Sequence, residues 1–410
     1  MKTLLKAVQI LDVSSPFHKQ IRDVLLEGNK ILKIDRDLSK KETYEIYEAN
    51  DLVLSPAFFD PNVHFGEPGF EERETITNGL KVAAESGFSE IALVASTQPV
   101  IDQAYLIENL QQKTRNSKVK IHLVSALTQG LKGEDLAELF EMHNYGAIGF
   151  SDDDSPIQNA NLMKLALQYT QSFNGLVHSF PAEKNILGKA QVHESPTSTL
   201  LGLKAAPSLA ETLQISRDLA ILKYTGGRLH IPLISTKEAV KLINNAKEDG
   251  LNVSCSVSIN QLFFTDERLN EFDTNFKLFP PLREKVDQEA LISGVLDGTI
   301  DFVTSHHRPI NIEHKFLEFE HATSGSIGLE SYFGAMNTLF GTEKSLEIIQ
   351  RSRDVYNLNK PVIKEGNEIA MNLINPKLEW CFTKNEITSK SKNSIFLNEN
   401  LLGKVIQNFY

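Results

Sequence analysis

Eight short apolar runs, separated by helical patterns, constrain what this chain can fold into more than any other feature. They are Leu52–Phe58, Ile91–Ala95, Ile121–Val124, Ala147–Phe150, Gly175–His178, Arg228–Ile231, Val253–Val257 and Phe302–Ser305. Near-continuous hydrophobicity in runs this short marks strands buried on both faces, as in a parallel sheet. Helix signals lie between most of them. Ile76–Glu85 is amphipathic and Gly87 follows it as a C-cap; Asp135–Asn144 ends before Gly146. Ser208 is positioned to cap a helix through Leu222 that stops near Gly226, and Thr236 caps a run to Lys247 with Gly250 beyond. Eight strand–helix units over about 280 residues are what a (β/α)8 barrel requires. The competitor, a doubly wound open sheet, usually has fewer strands and often a glycine-rich phosphate turn. No G-x-G-x-x-G or Walker sequence occurs here.

The expected fold is therefore α/β, a TIM barrel over residues 52–359. The flanks read differently. Leu4–Val13, Ile21–Glu27 and Lys30–Ile34 are strand-like, with Gly28-Asn29 as a hairpin turn. After a helix around Gly328–Phe340, Ile369–Ile374 and Leu401–Val405 are strand-like again, and Thr383–Asn393 is a loop by composition. Residues 1–51 and 360–410 are expected to form one small β domain built from both termini.

Composition narrows the function. Of 410 residues, 41% are hydrophobic and 23% charged, the balance of a globular protein and not of a disordered one. Acids outnumber bases 53 to 42, a net charge of −11, which argues against a general nucleic-acid or acidic-membrane binder. The basic run Lys113–Lys120 is read as a solvated surface. Only two cysteines are present, Cys255 and Cys381, so neither a four-cysteine zinc site nor a disulfide scaffold is available. Cys255 sits in an apolar strand and is read as inert filling. The N-terminal MKTLLKAVQI lacks the apolar core of an export signal, and no stretch approaches the ~18 consecutive apolar residues of a membrane span. A soluble, cytoplasmic protein is expected.

A barrel of this kind keeps its active site at the C-terminal ends of the strands. The first run leads into Asp60-Pro61-Asn62-Val63-His64-Phe65-Gly66-Glu67-Pro68-Gly69. The fourth leads into Ser151-Asp152-Asp153-Asp154, and the fifth ends in His178. The sixth carries His230 and then Pro232-Leu233-Ile234-Ser235-Thr236, and the eighth ends in Thr304-Ser305-His306-His307.

These residues resemble the dihydroorotases of the amidohydrolase superfamily, nearly end to end. Phe59–Phe70 is similar to the family's D-x-H-V-H-L-R-E-P-G-F, and Gly146–Asp153 to G-A-x-x-F-S-D-D. Arg228–Thr236 is similar to R-x-H-x-x-H-x-S-T, Pro280–Arg283 matches P-P-L-R, and Gly328–Glu330 matches G-L-E. The resemblance implies a hydrolase using two zinc ions, which polarise a ring amide and lower the pKa of a bridging water. It assigns ligands to H-x-H after the first strand, a bridging carboxylate or modified lysine after the fourth and one histidine each on the fifth and sixth. An aspartate after the eighth is ligand and general base, and an arginine with asparagines holds the substrate carboxylate.

Carried over residue by residue, His64, Asp153 and His178 match metal ligands. Asn62, Leu233 and Ser305 stand where the other two histidines and the general-base aspartate belong. Gly66, Ser96 and Phe279 replace the substrate-binding arginine and two asparagines. Zinc takes histidine nitrogen, carboxylate oxygen or thiolate; Leu233 has no lone pair, and Asn62 and Ser305 are neutral oxygens. Ser305 cannot take a proton near neutral pH as a carboxylate does. No catalytic residue is expected.

For His64, Asp153 and His178 the choice lies between one residual zinc and a leftover hydrogen-bonded polar cluster, with the cluster preferred. His230 is read as a core histidine bonded to backbone, His306-His307 as a solvated loop start, and the three acids 152–154 as a loop whose side chains diverge. His193-Glu194 matches no catalytic pattern. The function expected is an inactive dihydroorotase-like protein of pyrimidine biosynthesis. The resemblance allows it to be a structural partner of aspartate carbamoyltransferase, as some inactive family members are. The alternatives are an active zinc-dependent dihydroorotase, or other cyclic amide hydrolase, using a residual metal, and a small-molecule sensor using the old pocket. A homo-oligomer is expected, with no nucleic-acid or membrane partner.

Overall fold

The structure is a computed structural model and describes residues 2–41, 43–48 and 51–410. Eight parallel strands follow one another in chain order: β1 Phe58–Val63, β2 Phe88–Val94, β3 Lys120–Ser125, β4 Ala147–Phe150, β5 Leu176–His178, β6 Arg228–Ile231, β7 Val253–Ser258 and β8 Phe302–Thr304. Each pairs with the next. The last seam, between β8 and β1, is closed just beyond the strands. There Val63 bridges His307, and the His64 N–H donates to the His307 carbonyl at 2.8 Å. This is the expected (β/α)8 barrel.

The run Leu52–Phe58 is corrected by the structure. Val53–Pro56 pairs with Lys2–Ile10 and Met371–Cys381 in a separate sheet, and the barrel strand begins only at Phe58. One uninterrupted apolar stretch serves two sheets, and hydrophobicity alone does not show where the chain leaves one for the other. That second sheet has seven strands drawn from both ends of the chain. Its outer strands include Asn400–Phe409 and the hairpin Ile21–Glu27 with Lys30–Asp35, which turns at Gly28 with φ 61°. The segment 383–393 is a loop, as expected, and it is packed against the barrel. Ser389, Ser391 and Asn393 are buried, and Glu330 accepts the Ser389 N–H at 2.9 Å and its hydroxyl at 2.7 Å.

Helices fall near their expected places, with end shifts that have local causes. Thr75 and Thr236 cap Ile76–Glu85 and Lys237–Glu248 through their hydroxyls. Ser208 makes no such bond, and the helix Leu209–Thr225 runs three residues beyond the expected Leu222 before Gly226 ends it. The helix expected from Asp135 begins at Leu139. Among the described residues no helix is long and apolar enough to cross a membrane.

The barrel interior is packed. Phe59, Ala92, Val124, Leu176, Phe302 and Tyr356 form one buried cluster, and burying each large aromatic contributes roughly 2–3 kcal/mol. Tyr356 follows the last helix, Thr342–Val355, and plugs the N-terminal end of the strands, where the Val355 carbonyl accepts from Arg228 at 2.6 Å.

Candidate active site

The end of β1 is organised by Asp60. Its buried carboxylate accepts the Asn62 N–H at 3.0 Å and the Ser305 N–H at 2.9 Å, so it ties β1 to β8. Burial raises its pKa against those bonds. Asn62, expected to stand at a lost ligand position, leaves its buried Oδ1 without a partner. His64 turns inward: its Nε2 lies 3.5 Å from Asp153 Oδ1 and its Nδ1 3.5 Å from Ser96 Oγ. Burial, with the Arg308 guanidinium nearby, holds His64 well below the ordinary histidine range.

The three acids after β4 diverge, as expected. Asp152 accepts the N–H groups of Leu127 and Thr128 at 3.0 and 2.8 Å, and also the Thr128 hydroxyl. Burial nevertheless pushes its pKa up to about 6. Asp153, at φ 56°, accepts the Ser96 hydroxyl at 2.7 Å. Asp154 meets Arg308 Nη1 at 2.8 Å.

Of the three residues expected to hold a residual zinc, His64 and Asp153 are brought together. The polar neighbour of His178 is elsewhere: its Nε2 lies 3.4 Å from the Tyr356 hydroxyl, and its ring is 4.8 Å from that of His230. Burial brings its pKa down to about 3. His230 is a core histidine, but its bonds go to hydroxyls and not to backbone. Its ring nitrogens lie 2.9 Å from Ser254 Oγ and 3.1 Å from Ser256 Oγ, and it stacks on Phe302.

Leu233, at φ 55°, is buried in a cluster with Phe180 and Ala182, against which Phe279 packs. The Phe180 and Phe279 rings are 5.0 Å apart. Leu233 and Phe279, the residues expected to replace a ligand and a substrate asparagine, thus share a single apolar patch. Gly66 has φ 97°, and a Cβ there would meet the Phe70 carbonyl oxygen at 2.6 Å, so the loop has no room for a side chain at this position.

The solvated reading of His306-His307 is wrong. Both are buried, because the segment after β8 folds back under the chain. His307 Nδ1 accepts the Gly328 N–H at 3.1 Å, and the His306 ring is 6.3 Å from that of His64. The residue that follows, Arg308, was missed. A single arginine just past the general-base position, in a chain with three acids after the fourth strand, was the available signal. Beside it a cavity of about 210 Å³ remains, lined by His64, Gly66, Arg73, Ser96 and Arg308.

The donor set does not fit a pair of zinc ions. Ser305 is buried with its N–H on Asp60 and its Oγ accepting from the His307 N–H at 3.2 Å. Leu233 presents carbon and Asn62 a neutral amide. Among the described residues no three His, Cys, Asp or Glu side chains are gathered closely enough to hold a metal ion.

The motif residues that remain are mostly ones that hold loops. Glu211 accepts the N–H groups of Ser235 and Thr236 at 2.9 and 3.0 Å. Arg283 donates to Ser235 Oγ at 2.9 Å and to His193 Nδ1 at 2.8 Å, and lies 3.3 Å from Glu211. The S-T and P-P-L-R motifs and the unassigned His193 therefore belong to one buried network that joins the loops after β6 and β7. Cys255 is buried, and burial raises its thiol far above the usual range, so it is inert.

Comparison with known proteins agrees with this geometry. Residues 51–239 match the family model described as dihydro-orotase-like. The dihydroorotase of Caldicellulosiruptor saccharolyticus is 37% identical over 98% of this chain and 95% of its own length. That of Geotalea daltonii is 33% identical over 98% and 96%. The L-hydantoinase (dihydropyrimidinase) of Arthrobacter aurescens superposes with a TM-score of 0.84 over 98% of this chain and 93% of its own, at 19% identity, and so shares the fold. This chain belongs to the dihydroorotase family.

Proposed function

We propose that this chain is a non-catalytic member of the dihydroorotase family. On this reading it serves pyrimidine biosynthesis as a structural partner of aspartate carbamoyltransferase. The observation that carries the reading is the state of the three positions Asn62, Leu233 and Ser305: an amide, an alkyl group and a hydroxyl stand where two imidazoles and a carboxylate are needed. Opening a cyclic amide near neutral pH needs an activated water and a base. A positioned general base alone contributes about 10²–10⁴-fold, and metal activation of water contributes further. Ser305 supplies neither.

A cytoplasmic location and self-association belong to the same reading. One observation favours the alternative, a cyclic amide hydrolase with a single metal: His64 and Asp153 remain 3.5 Å apart at the mouth of the barrel. Two measurements on one clean preparation, made without chelator, decide between them. The non-catalytic reading expects less than about a tenth of an equivalent of zinc, since a catalytic site must retain its ion, and no dihydroorotate turnover. Stoichiometric zinc with turnover overturns it. The structural role expects co-elution with the carbamoyltransferase of the same cell, and separate elution at micromolar concentration overturns that part.

A further inference from the structure

We propose that the Arg308 guanidinium is a tethered replacement for the lost metal charge, holding the Asp153–Asp154 carboxylates and excluding divalent cations from the barrel mouth. The inference rests on the non-catalytic reading and adds the group that now fills the site.

Asp153 is buried, yet its bridging role has gone with the other ligands. A buried carboxylate left without a cation is strongly unfavourable. The cation is supplied from within: Arg308 Nη1 lies 2.8 Å from Asp154 Oδ2 and 3.9 Å from Asp153 Oδ2. The side chain is held there by its backbone. The Arg308 N–H donates to the Ser326 carbonyl at 2.7 Å, and its carbonyl accepts from Asn393 Nδ2 at 3.1 Å. Gly325 makes the room, since a Cβ there would stand 3.1 Å from both Arg308 Cγ and its carbonyl oxygen.

A guanidinium keeps its charge at every working pH. A divalent ion reaching for the same two carboxylates meets a fixed like charge a few ångströms away in a poorly solvated site, and like charges at that range repel strongly. The arginine is thus what keeps a metal from the donors that remain, Asp153 and Asp154 beside His64.

The test uses the full-length chain, with Zn²⁺ as the probe, read by thermal unfolding and by metal content after equilibrium dialysis. The native protein is expected not to respond. Arg308→Ala is expected to melt lower than native and to regain about 2 °C at a zinc concentration ten times its dissociation constant. Its uptake should approach one equivalent, and Asp153→Asn in the same background should abolish it. Arg308→Lys should behave as native. If Arg308→Ala does not fold, Arg308→Gln, which keeps a donor toward Asp154, carries the same comparison. Zinc that shifts native and variant equally, or that shifts neither, overturns the proposal. Stoichiometric zinc and turnover in the native chain would instead sink the non-catalytic reading beneath it.

Discussion

Asp60 and Ser305 meet across the seam of the barrel: the Asp60 carboxylate on β1 accepts the Ser305 N–H, at the end of β8, at 2.9 Å. The contact is made by the Ser305 backbone, so it does not depend on which side chain stands at that position. Asp60 thereby joins the first strand to the last. Asp60→Ala leaves the Ser305, Asn62 and Thr304 donors without their acceptor. A loss of about 3 kcal/mol is expected, because buried donors left unpaired each cost about 1–3 kcal/mol. Urea denaturation measures it. A change below about 1 kcal/mol would show that the seam does not depend on this carboxylate.

Gly66 sits in a backbone that has no room for a side chain. Its φ of 97° and the 2.6 Å approach of a notional Cβ to the Phe70 carbonyl oppose any side chain, not only a long one. Gly66→Ala and Gly66→Arg should therefore both destabilise, by about 1–3 kcal/mol, the cost of a residue forced into such a backbone. Chemical denaturation of the two variants side by side decides this. If alanine is tolerated and only arginine destabilises, the obstacle is length and charge, and the loop itself is still fit for the ancestral residue.

Much of this was legible in the sequence, and the exceptions have physical causes. The eight strands show because each is buried on both faces and needs no partner to be recognised. The start of β1 does not show, because Val53–Pro56 and Phe58–Val63 lie in one apolar run that feeds two sheets. That Asn62, Leu233 and Ser305 cannot serve zinc as imidazoles and a carboxylate do is visible in the residue types alone. The fate of His178 is not, since facing Tyr356 depends on a plug contributed by a distant helix. Nor is the burial of His306 and His307, or the aim of Arg308, because these follow from Ser326 and Asn393 closing over the chain after β8.

The Arg283–Glu211 pair tests whether retained motif residues are structural. Both side chains are almost fully buried, and the pair anchors Ser235, Thr236 and His193. Arg283→Met leaves the Glu211 carboxylate buried without its cation, which costs about 3–5 kcal/mol. Glu211→Gln keeps an acceptor and removes the charge, and should cost less than Arg283→Met. Denaturation midpoints of the two variants measure the difference. Equal and small losses would mean that the network contributes little to stability.

The buried histidines set the response to acid. His193 is brought down to about 4, first by burial and then by Arg283 beside it, and His307 to about 3 by burial. His230 is held well below its ordinary range by burial, with His178 and Lys247 adding to the effect. In the unfolded chain each of these groups titrates near 6.5. Below that pH the unfolded state takes up protons that the folded state refuses, so stability is full above about pH 6.5 and falls as the solution is acidified toward pH 4. Each group costs up to about 2 kcal/mol at pH 5. Asp152 opposes the trend: held up at about 6, it binds a proton in the folded state before the unfolded carboxylate does. Asp60, raised likewise by burial, acts in the same direction, and against these two carboxyls stand His64, His178 and His306 as well as the three histidines above. Denaturation at intervals from pH 8 to 5 should show a plateau and then a slope of more than one proton, and His193→Gln should reduce that slope by about one. A profile flat from pH 7 to 5 would mean that these rings are already charged in the folded protein.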